Sequence, residues 1–177
     1  MKTKTFTRIA MIAAIYTALC FTPGLSMIAF GQVQIRIAEA LTMLPLIYQP
    51  SIIGVTLGCF ISNLVGAMTG LNPTGMLDAL IGTAATFLAA VCTWKLRDRK
   101  VKGIPVLSIL MPAIFNFFFV GAELAYLFMP DNFVTGLFIN GFFVAVGEII
   151  ACVVGYILVR QIEKRNIFKE ENENKAA

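Results

Sequence analysis

Seven polar residues stand where the surrounding chain is apolar: Arg36, Glu39, Asp78, Asn116, Glu123, Asn140 and Glu148. An ionisable side chain at membrane depth costs roughly 2.5–3.5 kcal/mol on insertion scales, so such groups face a protein interior and mark candidate sites. Ionised carboxylates only accept hydrogen bonds. Acids gathered in a site therefore suit a donor: a primary amine, another cation, or the N–H/NH2 edge of a guanine-like base. Asparagine amides add both donors and acceptors. Each residue also has a purely structural reading. Arg36 and Glu39, one helical turn apart, can pair with each other and hold the first loop. Asp78, four residues after Thr74, can offset the partial positive charge of a helix N-terminus. Asn116, Asn140, Glu123 and Glu148 can satisfy one another between helices. Asp131 reads as a solvated loop charge.

The elements that position these residues follow from the rest of the chain. Its 177 residues are 58% hydrophobic and 14% charged, with a mean hydropathy of +0.82. A soluble domain would be roughly a quarter charged. Apolar stretches about 20 residues long, enough to cross a bilayer, recur from end to end. The class is all-α integral membrane, with no room for a separate soluble domain. The spacing predicts six transmembrane helices over residues 8–27, 35–48, 51–68, 74–96, 104–128 and 133–163. Residues 1–163 then form one membrane domain, and 164–177 a polar tail. The second span is short, interrupted by Pro45 and followed by Pro50, so it must tilt or distort against its neighbours. Gly and Pro mark the outward loops 29–34, 70–73 and 129–132. The apolar run after Arg8 is too long for a signal peptide and reads as a retained first helix.

Charge sets the orientation. Apart from Arg36, the 14 Lys and Arg lie in three clusters. Lys2, Lys4 and Arg8 precede the first span. Lys95, Arg97, Arg99, Lys100 and Lys102 lie between the fourth and fifth. Arg160, Lys164, Arg165, Lys169 and Lys175 end the chain. With six spans all three clusters fall on one side, which the positive-inside rule makes cytoplasmic, together with both termini. The net charge of +4 is explained by this topology and does not indicate nucleic acid.

Helical rise then assigns depths. At about 1.5 Å per residue, Asn116 and Glu148 both lie about 18 Å above the cytoplasmic ends of their helices. Glu123 lies about 28 Å up and Asn140 about 30 Å up. Asn116 and Glu123, seven residues apart, share a helix face, as do Asn140, Val144 and Glu148. A short connection makes the last two helices antiparallel neighbours, so their polar faces could line one outward-opening pocket. The outer half holds Arg36 against Glu39, Asp78, Glu123, Asp131 and Glu148, a balance that disfavours anions. Phe115, Phe117, Phe118, Phe119, Tyr126, Phe142 and Phe143 lie nearby, and some could stack on a flat ring.

Other chemistry lacks support. There is no histidine. Cys20, Cys59, Cys92 and Cys152 stand singly in apolar segments, without the paired spacing of metal or redox sites. No phosphate-binding loop is present, so the chain cannot couple ATP hydrolysis itself. An intramembrane enzyme would need Glu123 or Asp78 as its acid or base. A stand-alone secondary transporter or cation channel would need no partner. Ala10, Ala14 and Ala18 recur every four residues along the first span, spacing that lets another helix approach closely, within the chain or from a partner. Gly54 and Gly58 form a similar pair suited to internal packing.

A six-helix membrane protein of this size resembles the substrate-binding S components of energy-coupling factor (ECF) transporters. VQIRIAEALTMLP at 33–45 and GAELAYL at 121–127 are similar to signatures of the QueT branch, as are GMLDALIGTAATFLAA at 75–90 and GEIIACVVGY at 147–156. The resemblance covers residues 8–161. It implies high-affinity uptake of a queuosine precursor, a 7-deazaguanine such as preQ1 or queuine, without enzymatic activity or a cofactor. It implies an ECF module as partner, comprising a transmembrane coupling subunit and two ATPases, and a subunit that topples in the membrane to release its substrate. Ala10, Ala14 and Ala18 match the motif that contacts the coupling subunit. An S component for another cationic vitamin is the nearest alternative.

Overall fold

The computed structural model describes residues 3–22, 36–165 and Phe168. Among the described residues are five long helices: α1 (Thr3–Phe21), α2 (Ser51–Met68), α3 (Met76–Leu96), α4 (Val106–Phe128) and α5 (Phe133–Lys164). Each is long and apolar enough to cross a bilayer. Between α1 and α2 runs a 3₁₀ helix, η1 (Ile37–Leu46), and a single 3₁₀ turn (Pro130–Asn132) links α4 to α5. The expected loop 29–34 and the tail beyond Phe168 lie outside the described residues, as does the end of the expected first span.

Consecutive long helices pack side by side from α1 to α5, and η1 contacts all five. Glycines set the closest approaches. A Cβ on Gly58 would lie 2.6 Å from Tyr16 Cβ, and one on Gly54 would lie 2.9 Å from Ile12 Cβ, so α1 presses directly onto α2. A Cβ on Gly155 would fall 2.1 Å from the Ala40 carbonyl oxygen, so the backbone of η1 lies on that of α5. Gly121 and Gly141 likewise bring α4 and α5 together.

The second span corrects the expectation of a short α-helix. Ten residues of 3₁₀ helix are unusual, because the hydrogen-bond geometry is poorer than in an α-helix. Two features favour the tighter winding here. Pro45 removes a backbone donor, and the Thr42 hydroxyl donates to the Glu39 carbonyl at 2.6 Å. Close packing on all sides supplies the rest: Ala38, Glu39, Ala40, Thr42, Met43, Leu44 and Pro45 are all buried. At about 2.0 Å per residue the helix is about 20 Å long, longer than an α-helix of the same number of residues.

That length lets η1 run from one end of the bundle to the other. Arg36, at its start, meets Asp78 near the start of α3. Tyr48, just past its end, stacks on Phe168 with ring centroids 4.5 Å apart. The Arg8 guanidinium lies 5.9 Å from the Tyr48 ring and 5.1 Å from the Phe168 ring. Leu46 and Ile47 sit beside Arg97, Lys100 and Arg160 around a polar depression. The start of α1, the α3–α4 connection and the end of α5, each carrying a basic cluster, are thus drawn to one end. The described residues pass between the two ends six times, with η1 as the second pass.

Candidate functional site

Asp78, in the first turn of α3, is wholly buried. Its Oδ2 accepts hydrogen bonds from Arg36 Nη2 and, at 2.9 Å, from Asn72 Nδ2. The local sequence LNPTG builds this arrangement. Asn72 Oδ1 accepts from the Thr74 amide at 3.2 Å and from its hydroxyl at 2.7 Å, the side-chain turn that asparagine favours before a helix. This fixes the amide so that Nδ2 points at Asp78. Gly82 leaves room for the carboxylate, since a Cβ there would lie 2.2 Å from Asp78 Oδ1. Asn63 of α2 donates to the Asp78 carbonyl at 2.9 Å, tying α2 to the same corner.

Glu39 follows Arg36 by three residues, but the expected pair between them does not form. Arg36 lies before the first turn of η1 in an extended conformation, which sends its side chain to α3. Glu39 Oε1 instead accepts from the Tyr16 hydroxyl of α1. Deeper in the bundle, Asn116 Nδ2 of α4 donates to Glu148 Oε1 of α5 at 2.9 Å, as their equal depth suggests. Glu123 is buried between α3 and α4, beside Thr74 and within electrostatic range of Asp78.

These groups form one cluster. Glu39 and Glu148 feel each other's charge, and Arg36 is in range of Glu39, Asp78, Glu123 and Glu148. Glu39 Oε2, Asp78 Oδ1, Glu148 Oε2 and both Glu123 oxygens are buried without a hydrogen-bond partner. Unmatched buried acceptors are costly, and an ionised carboxylate can satisfy that need only by accepting from a donor. Among the described residues, no three His, Cys, Asp or Glu side chains are placed to hold a metal ion.

Asn140 stands apart. It is half-buried, and its Nδ2 donates to Gly136 O of its own helix at 2.8 Å. Ala10, Ala14 and Ala18 share the outer face of α1, exposed, while Ala13 turns inward. Sequence reasoning missed Tyr16, Asn63, Asn72 and Thr74. Asn63 carried the same signal as Asn116, an amide within an apolar span. Tyr16 carried no signal of its own, Asn72 read as an ordinary turn residue, and Thr74 read as the start of the fourth span.

A family profile described as the QueT transporter matches residues 6–164. The chain belongs to the QueT transporter family. It is therefore a multi-pass membrane protein of a transporter family and not an enzyme. The curated "Queuosine precursor transporter QueT" of Lactococcus lactis subsp. cremoris (strain MG1363) is similar to it, with 36% identity over 87 residues, 49% of this chain and 47% of that protein. The match thus spans about half the length of that relative. No solved structure matches the chain.

Proposed function

We propose that this chain is a membrane subunit that binds a queuosine precursor, a 7-deazaguanine such as preQ1 or queuine, for uptake into the cell. The observation that carries the reading is the set of unpartnered buried acceptors on Glu39, Asp78, Glu123 and Glu148. A deazaguanine offers an N–H/NH2 edge, and preQ1 adds a cationic aminomethyl group. Membership of a transporter family and the name of the Lactococcus relative support the same substrate class. In this reading Glu123 receives the base edge, Glu39 and Glu148 face the amine, and Asn116 contributes its amide. Arg36 holds Asp78 and keeps the cluster from excess negative charge.

The energy source is an ATP-driven ECF module, a coupling subunit with two ATPases. The exposed alanine face of α1 supports docking of that coupling subunit. Residues 1–163 form the binding domain and 164–177 a cytoplasmic tail.

The test is calorimetric titration of the purified chain with preQ1, queuine and thiamine. Tight binding of a deazaguanine and not of thiamine is expected. Glu123→Gln and Glu148→Gln should each weaken it by about 1.5–3 kcal/mol, the contribution of one charged hydrogen bond. Equal affinity in the parent and both variants rejects the site, and no deazaguanine binding at all rejects the substrate.

A further inference from the structure

Between α3 and α4 lies a groove of about 530 Å³ that the charge cluster alone does not explain. This volume falls in the range of small-molecule sites, roughly 300–1,000 Å³. One wall is Leu77 and Ile81 of α3. The other is a single face of α4, where Phe119, Ala122, Glu123 and Tyr126 follow helical spacing and Phe118 stands at the rim. Leu77 is the second residue of α3 and Tyr126 the third from the end of α4, so the groove lies toward the end of the bundle away from the basic clusters. Ala122 is the smallest side chain on that wall, set among Phe118, Phe119, Glu123 and Tyr126. The lining is apolar except for Glu123, which is 3% exposed and has neither carboxylate oxygen partnered.

We infer that this groove is the seat of the ligand's flat heteroaromatic body, with the Phe118, Phe119 and Tyr126 rings beside it and Glu123 receiving its N–H/NH2 edge. The inference rests on the substrate reading above and adds Leu77, Ile81, Phe118, Phe119, Ala122 and Tyr126 to the residues that decide specificity. Two features favour this occupant over an acyl chain. A buried carboxylate with two unpartnered oxygens matches a pair of parallel donors, as it matches the fork of an arginine, and a hydrocarbon would leave both oxygens unmatched. Aromatic rings at the rim offer faces and edges to a second π system.

The experiment uses the full-length chain in detergent and a 7-deazaguanine bearing an aminomethyl group. Ala122→Trp fills the hollow and should lower affinity at least tenfold, while Ile150→Trp, on the exposed face of α5 outside the groove, should bind as the parent does. Tyr126→Trp, at an exposed position, adds an indole whose emission the ligand should quench; Trp94, at the opposite end of α3, should not respond. Unchanged affinity in Ala122→Trp, or an unresponsive indole in a Tyr126→Trp protein that binds, overturns the seat. If Glu123→Gln still weakens binding in that case, the substrate reading stands alone. Loss of the indole signal to an ethanolamine phospholipid, with no effect of the deazaguanine, makes the groove a lipid site and overturns the inference. A parent chain that binds no deazaguanine removes both readings.

Discussion

Arg36 joins the outer end of η1 to α3 by pairing with Asp78 across 42 residues of sequence. Both partners are buried, so the ion pair is stabilising only while it is complete; removing one partner of a buried pair costs about 3–5 kcal/mol, because the other charge is stranded. Arg36→Gln should therefore lower the thermal unfolding midpoint in detergent, and adding Asp78→Asn should recover part of the loss. A double variant less stable than Arg36→Gln alone would show that the charge pair is not the cause. The same pair shows how far residue-level reading reaches. The level shared by Asn116 and Glu148 was legible because both sit on regular helices joined by a short turn, where counting residues measures height. The partner of Arg36 was not legible, because its side chain leaves an extended residue before η1 and its direction depends on where α3 stands. Tyr16 was hidden for a similar reason, since nothing in α1 announces that Glu39 will pack against it.

At the scale of elements, η1 determines the site's shape. It brings Arg36 and Glu39 into the cluster and lies against α5 with no space for even one extra carbon at Gly155. Overpacking of this kind costs typically about 1–3 kcal/mol, and here a backbone carbonyl must move. Gly155→Ala should lower the unfolding midpoint and weaken deazaguanine binding together, because displaced η1 carries Glu39 with it. Stability lost without loss of affinity would place η1 outside the binding determinants. Pro45 and the punctuating prolines made the second span's irregularity visible in sequence. Its 3₁₀ winding was not, because local propensity disfavours so long a 3₁₀ run and only packing against the five helices makes it stable.

At the scale of the whole molecule, the six described passes gather the basic residues of α1, the α3–α4 connection and the end of α5 at one end, and the acid cluster toward the other. The positive-inside rule predicts that the basic end faces the cytoplasm. In a background with Cys20, Cys59, Cys92 and Cys152 replaced, Lys100→Cys should react with an impermeant maleimide only from the cytoplasmic side, and Asp131→Cys only from outside. The reverse pattern would invert the topology. The exposed alanine face of α1 leads to a separable effect. Ala14→Trp should leave deazaguanine affinity unchanged and reduce ATP-dependent uptake in vesicles containing the ECF module severalfold; intact uptake would move the docking surface elsewhere. Composition and charge pattern by themselves determined the membrane class, and they carry the expectation of six passes with the basic end in the cytoplasm, because transfer into lipid and attraction at its surface act on each residue type wherever it stands along a span. Which donor meets which acid, which acids remain open, and where an apolar groove ends on Glu123 were decided only by the tertiary structure. Those outcomes depend on distances of a few ångströms between segments far apart in sequence, set by glycine contacts and by the path of one irregular helix.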